Sequence, residues 1–300
     1  MTVESPYRLL DSGHGRKLEQ VGAYLVERQA ATAWWKPRLP RERWAEAHLV
    51  HHRSERGGGH WERRRSAPEQ WLIEHGGLTL IAKATPFGHL GLFAEQAGQW
   101  DWLARALRDA RSNETARRPR VLNLFAYTGG ATIACARAGA VVTHVDAARG
   151  VVDWAHKNAE ANRLAPDSVQ WIVDDALAFA AREVRRARVY DVVILDPPTY
   201  GRGSKKETWK IEEQLPELLG QVARLLSAEP IAVLLSAHTP GFGPIALQNL
   251  LDEALCDRPG AVREQGEMTV TDSTGRSLPS GTYARRRFTA GSSGGAAPST

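Results

Sequence analysis

Three hundred residues, 42% hydrophobic and 24% charged, exclude a disordered or fibrous polymer and give enough chain for one large core or two modest ones. No apolar run reaches the roughly 20 residues of a membrane span and no signal-peptide core opens the chain, so a cytoplasmic protein with no membrane partner is expected. The net charge of +5 is uneven: residues 1–120 hold 20 of the 39 Lys and Arg, 14 of the 34 Asp and Glu, and seven of the ten Trp, a balance that suits an RNA partner as well as a plain arginine-rich surface.

Residues 1–6 read as frayed. Up to about Lys83 the apolar runs are short (Tyr24-Leu25-Val26, Trp71-Leu72-Ile73, Leu78 to Ala82) and broken by Gly57-Gly58-Gly59 and Gly76-Gly77. This spacing predicts a small β-rich domain over residues 1–92 with at most two short helices. Trp34-Trp35 could stack bases, although tryptophans in a small β domain more often fill the core. A helical pattern through Trp100, Trp102, Leu103 and Leu107 follows Gly88 to Gln96, and its end dissolves into a basic linker. Residues 93–120 are therefore expected to bridge two domains. Glu95 and Gln96 face the second domain's cleft or merely cap that helix.

From Val121 the chain alternates strand and helix, which argues a parallel sheet covered on both faces. The opening unit runs Val121 to Phe125, Thr128-Gly129-Gly130, a small-residue helix, Gly139, then an apolar run ending in Asp146. It has the order of a nucleotide-binding βαβ unit, with the acid about twenty residues after the glycines where a ribose acceptor belongs. Ile133 stands where a dinucleotide site needs its third glycine, and no Gly-Lys-Ser/Thr ending follows. A nucleoside without phosphates fits better, and S-adenosylmethionine is the commonest such cofactor.

Further strands are expected at Val169 to Val173, Asp191 to Leu195 and Ile231 to Leu235. Helices are expected at Val151 to Arg163, Leu177 to Arg186, after a flexible basic loop Gly201 to Lys206 with Pro216 in the first turn, and at Ile245 to Leu255. The runs Met268 to Thr271 and Thr282 to Phe288 have no crossover helix between them and must pair antiparallel. That reversed last strand marks a class I methyltransferase sheet rather than a dehydrogenase. Residues 289–300 are Gly/Ser/Ala/Pro and read as a disordered tail.

Acids stand at three strand ends: Asp146, Asp175 and Asp196. Asp146 is the expected acceptor for both ribose hydroxyls and Asp175 for the adenine amino group, with a helix N-cap as the competing role of each. At Asp196-Pro197-Pro198 consecutive prolines stop the strand. The Asp196 carboxylate and the Pro197 carbonyl are left to accept from a planar amine edge, with Tyr200 beside them to stack a flipped base.

Asn123 to Gly130, Asp146, Asp174-Asp175 and Asp196-Pro197-Pro198-Thr199-Tyr200 together resemble the bacterial class I methyltransferases of large-subunit ribosomal RNA, over about Trp71 to Phe288. The resemblance implies an α/β, Rossmann-like seven-stranded sheet with an antiparallel last strand (residues 121–288) behind the β-rich domain. It also implies S-adenosylmethionine held by Phe125, Tyr127, Thr128, Gly129, Gly130, Asp146, Asp175 and Asp196. Catalysis would fall to Asp196, Pro197 and Tyr200, with no metal. Members that methylate cytosine C5 carry a nucleophilic cysteine after the fifth strand. Here that segment reads Ser236-Ala237-His238-Thr239, and Cys135 and Cys256 fit neither that place nor a zinc spacing. The expected activity is methyl transfer to a base nitrogen of RNA; His238 is read as a structural loop histidine, with a second substrate contact as its alternative role. The family's N-terminal RNA-binding module is expected to be missing or shortened, which keeps a protein or small-molecule substrate, or a non-catalytic RNA-binding role, as alternatives.

Overall fold

The computed structural model describes residues 6–54, 58–111, 117–202, 208–258 and 260–288. Residues 1–5 of the expected frayed segment, the first glycine of the 57–59 turn, half of the basic linker, the loop beyond Arg202 and the tail 289–300 lie outside them.

β1 (Arg8–Gly13), β2 (Arg16–Val21) and β3 (Tyr24–Gln29) form a meander. The short helix α1 (Arg41–Ala45) then brings β4 (Leu49–Arg53) back parallel to β3, and β5 (Gly59–Arg63) closes a five-stranded sheet. In the sequence only Tyr24 to Val26 marks this sheet, because it buries charge: Asp11, Glu19, Arg28 and His51 are all buried. Glu19 is the centre of that charge. It accepts from Tyr7 Oη at 2.8 Å and from Arg28 Nε at 2.6 Å, and Lys17 Nζ lies at 3.0 Å. Burial alone would raise the Glu19 carboxyl, but the charges of Arg28 and Lys17 and the bonds from Arg28 and Tyr7 outweigh it and hold it at about 2.

A depressed carboxyl contributes stability that is present above its ordinary range near 4.3 and is lost as pH falls toward 2. Glu19→Gln is therefore expected to cost on the order of 3–5 kcal/mol at neutral pH, because it leaves Arg28 buried without its counter-ion. The variant's stability should also lose much of its decline between about pH 5 and pH 2. Urea unfolding of both proteins across that window checks it, and parallel pH curves would contradict it.

β6 (Gln70–His75) and β7 (Leu78–Lys83) form a hairpin over Gly76-Gly77, both at positive φ as a tight two-residue turn demands. After a 3-10 turn at Ala94–Gln96 comes α2 (Ala97–Arg111). One apolar core runs from the five-stranded sheet (Val21, Val26, Leu49) through this hairpin (Trp71, Ile73, Leu80) to Trp100 of α2 and Ile133 beyond it. Trp71, Trp100 and Trp102 are thus core residues.

The larger sheet holds β8 (Arg120–Leu124), β9 (Val141–Asp146), β10 (Val169–Val173), β11 (Val192–Leu195), β14 (Ala232–Ala237), β15 (Ala261–Thr271) and β16 (Ser277–Phe288). Its order is β10-β9-β8-β11-β14-β16-β15, and β16 pairs antiparallel with both neighbours. The antiparallel pair of late strands is as expected, with β16 slotted inside the edge strand β15. The central strands β11 and β14 are buried along their whole length, as strands covered on both faces must be. The helices are α3 (Gly130–Arg137), α4 (Arg149–Ala161), α5 (Ala176–Arg185), α6 (Ile211–Leu225) and α7 (Pro244–Ala254). None in the described residues is long and apolar enough to cross a membrane.

Two expectations are corrected. Pro216 is the sixth residue of α6 rather than part of its first turn, since Ile211 already begins the helix. The expected loop after Tyr200 begins as a strand, because β12 (Tyr200–Arg202) pairs with β13 (Thr208–Lys210). Trp209 anchors that hairpin, buried against Phe125 with ring centroids 4.7 Å apart and donating to the Pro198 carbonyl at 2.7 Å.

The tip of the β15–β16 hairpin reaches back to the five-stranded sheet. Leu9 bridges Asp272, Ser273 Oγ donates to the Leu10 carbonyl at 2.7 Å, and Thr32 Oγ1 donates to the Pro279 carbonyl at 2.7 Å. Trp35 belongs to this junction: its Nε1 donates to the Ser12 carbonyl and Arg276 lies over its ring. Trp34, by contrast, is 88% exposed.

Candidate active site

The carboxyl ends of β10, β9, β8 and β11 stand side by side and carry, in that order, Asp175, Asp146, the Thr128-Gly129-Gly130 loop and Asp196. Parallel register sets the heights: Leu124 pairs with Val145 on one side and Leu195 on the other. The chain therefore leaves β8, β9 and β11 at one level, where open α/β sheets bind ligands.

The loop after β8 is bent sharply. Phe125 and Tyr127 both adopt positive φ, at 55° and 49°. For non-glycine residues that is a stored cost of order 1–3 kcal/mol each, repaid by what surrounds them. The Asp146 carboxylate repays part of it, since Oδ2 accepts the Tyr127 N–H at 3.0 Å and Oδ1 accepts the Ala148 N–H at 3.0 Å. Burial raises the Asp146 carboxyl above the ordinary range, against the pull of those two N–H bonds. Each oxygen keeps further acceptor capacity, which suits a pair of vicinal hydroxyls.

Asp175 is more committed. Its Oδ1 accepts the Ala178 N–H at 2.8 Å and caps α5, which leaves Oδ2 for a ligand; Asp174 is paired with Arg182. Asp175 is thus a helix cap whatever else it does.

Asp196 is gripped from outside its own strand. Gln96 Nε2 donates to Oδ2 at 3.0 Å and to Ser236 Oγ at 3.1 Å, and Ser236 Oγ donates to Oδ1 at 2.7 Å. His238 stands 3.6 Å from Asp196 Oδ1 and 3.7 Å from Glu95 Oε1. Gln96 therefore faces the cleft rather than simply capping α2. The sequence reading names Ser236 only as part of the segment without a cysteine and gives it no role. A buried serine near the end of an apolar strand is its only signal. Pro197 is buried, no described residue donates to its carbonyl, and Tyr200 is 51% exposed.

The segment before α2 closes the site. Thr128 Oγ1 donates to the Gly91 carbonyl at 2.6 Å, and Asn158 Nδ2 donates to the Thr128 carbonyl at 2.9 Å. Asn158 is another residue the sequence reading passes over; it is a buried polar position on the inner face of α4. Gly91, Phe93, Gln96, Phe125 to Ala131, Asp196 and Ser236 line one pocket. A backbone cradle, an acceptor for hydroxyls and an apolar wall at Phe125 fit an adenosyl cofactor with a zwitterionic tail.

Residues 48–247 match the model of a family described as S-adenosylmethionine-dependent methyltransferase, and the chain belongs to that family. Its cofactor is S-adenosylmethionine. The crystal structure of an S-adenosylmethionine-dependent methyltransferase from Agrobacterium tumefaciens superposes on 96% of this chain and 92% of its own, with a TM-score of 0.87 and 33% identity. Among curated relatives, ribosomal RNA large subunit methyltransferase K/L of Syntrophotalea carbinolica is 28% identical over 58% of this chain and 23% of its own length. Ribosomal RNA large subunit methyltransferase K of Neisseria meningitidis is 24% identical over 74% of this chain and 59% of its own. The chain thus spans a quarter to three-fifths of the length of these two relatives.

Neither cysteine lines the Asp196 pocket. Cys135 is buried in α3, where burial pushes its thiol up to about 12, and Cys256 is exposed just beyond α7. The double Cys→Ser protein is expected to keep its methyl-transfer rate, with a stability loss of about 1–3 kcal/mol arising at Cys135, where a hydroxyl replaces a buried thiol. Denaturing gels of enzyme–RNA mixtures test the same point, and a covalent adduct would overturn it.

Proposed function

We propose that the chain transfers the methyl group of S-adenosylmethionine to a nitrogen of an RNA base, within ribosomal RNA. The relatives, which are ribosomal RNA large subunit methyltransferases, support the substrate class. The observation that carries the choice of nitrogen is the make-up of the Asp196 corner: fixed acceptors, an exposed aromatic, and no thiol. Carbon C5 of a pyrimidine needs a thiolate to become nucleophilic, whereas a nitrogen with a lone pair needs only alignment and the exclusion of water.

The cofactor supplies an electrophilic methyl on a sulfonium that leaves as a neutral thioether. Asp146 would hold its ribose and the 125–130 loop its amino-acid portion, and Asp175 would accept from the adenine amino group. Asp196 Oδ1 and the Pro197 carbonyl accept from the amine edge of the base and point its lone pair inward. Gln96 and Ser236 keep the carboxylate from swinging away, and Tyr200 stacks on the exposed face of the base.

Replacing Asp146 by Ala is expected to weaken S-adenosylhomocysteine binding by about 2–4 kcal/mol, from two lost charge-assisted bonds. Affinity in the unchanged protein should also weaken on acidification earlier than an ordinary carboxylate would dictate, because burial raises that group. Calorimetry that finds equal affinity in the variant would remove the assignment. The substrate is tested by incubating the protein with labelled S-adenosylmethionine and total RNA from cells lacking the gene, then separating nucleosides. Label on a methylated base nitrogen of ribosomal RNA is expected; label in protein alone would defeat the proposal.

A further inference from the structure

A second, larger cleft of about 700 Å³ lies between the five-stranded sheet and the methyltransferase sheet. Its walls come from opposite ends of the chain. One side is Lys17, Arg28 and Arg53 of β2, β3 and β4; another is the 87–95 segment; the third is His238 to Gly243 after β14, with Leu278 to Thr282 of β16. It meets the Asp196 pocket at Leu92 and Phe93, which line both. Phe93 is also the hub of a ring cluster, with the rings of His89, Tyr127 and His238 each 5.2–5.3 Å away.

The chemistry of this cleft is mixed. Burial lowers His51, and lowers His89 to about 4, so at neutral pH both are uncharged rings. Arg28 spends three N–H groups on Glu19 and the Gly88 carbonyl, and two remain. Glu95 and Glu267 offset part of the positive charge. A cavity with aromatic walls, donors and acceptors, and little net charge suits a heterocyclic base better than a polyphosphate. Phe87, 70% exposed, and the exposed cation Arg53 both line this cleft. That pairing matches the stacking platform and phosphate contact of single-strand recognition.

Resting on the RNA reading above, we infer that this cleft receives the unstacked target nucleotide. The five-stranded sheet is then the wall that reads the substrate, with Phe87 stacking a base at the mouth and Arg53 meeting a neighbouring phosphate. The base passes over Phe93 to reach Asp196.

The test measures binding of a fluorescein-labelled, mixed-sequence single-stranded RNA oligonucleotide by anisotropy, with S-adenosylhomocysteine present. Phe87→Ala is expected to bind roughly 5- to 150-fold more weakly, the value of one stacked base. Arg53→Glu should flatten the plot of log affinity against log salt by about one phosphate contact. Melting temperature and S-adenosylhomocysteine affinity should stay unchanged in both, since both side chains are exposed. If both variants bind RNA as tightly as the unchanged protein, the cleft is not the entry site while the RNA reading stands. If the unchanged protein binds no RNA even at low salt, both fall together.

Discussion

Asp196→Ala is expected to lower single-turnover methyl transfer by roughly 100- to 1000-fold. S-adenosylhomocysteine affinity should move by less than about 1 kcal/mol, because an interaction made with the substrate edge is lost and one made with the cofactor's ribose is not. The fold can absorb the change. Gln96 retains Ser236 as a partner, and the Ser236 hydroxyl can turn to the Leu195 carbonyl, now 3.5 Å away. Asp196→Asn makes the sharper comparison: it keeps the shape but can offer Gln96 or Ser236 an N–H where each now finds an acceptor. Melting temperature, cofactor affinity and single-turnover rate on the same preparations decide the matter. A normal rate in Asp196→Ala would show that the carboxylate serves only the packing of that corner.

The second large effect is expected at Gly91. Its φ is +86°, and a Cβ there would sit 2.1 Å from the Trp154 ring, which is itself tied to the Ile81 carbonyl by its Nε1. Alanine incurs the left-handed backbone cost of about 1–2 kcal/mol and an overpacking cost of about 1–3 kcal/mol. A total loss of about 2–5 kcal/mol follows. The Gly91 carbonyl also receives the Thr128 hydroxyl, so relief of the clash displaces the glycine loop. S-adenosylhomocysteine binding should weaken at least tenfold in whatever protein remains folded. Denaturant unfolding and calorimetry read the two effects separately. A variant with wild-type stability would mean the 88–96 segment is slack rather than clamped.

The sequence made the methyltransferase sheet easy to read because its central strands are buried on both faces. Val192 to Leu195 and Ala232 to Leu235 are continuous apolar runs, and each ends on a residue that must break the strand or turn polar. The five-stranded sheet was nearly invisible for the opposite reason. It keeps Asp11, Glu19 and Arg28 inside, so alternation of apolar and polar residues fails to report the face. The candidate site was legible where one strand end carries its own chemistry, as at Asp146 and Asp196. Ser236 and Asn158 were not, since each matters only through a partner 40 or 30 positions away. Gln96 stands 100 residues from Asp196, and spacing along a chain cannot signal that meeting.

The hairpin tip that docks on the first sheet has a consequence for how the protein is made. Ser273 meets Leu10 across 263 positions, and Thr32 meets Pro279 across 247. At ribosomal speeds of about 5–20 residues per second, the first sheet emerges on the order of 10–40 s before the hairpin that completes it. Through that interval Leu9, Ala30 and Ala33 have Trp35 on them but lack Leu278 and Val270, which complete their cluster in the finished protein. Arrest of translation near residue 260 is therefore expected to leave a protease-sensitive nascent chain, and release of the last forty residues to protect its opening strands.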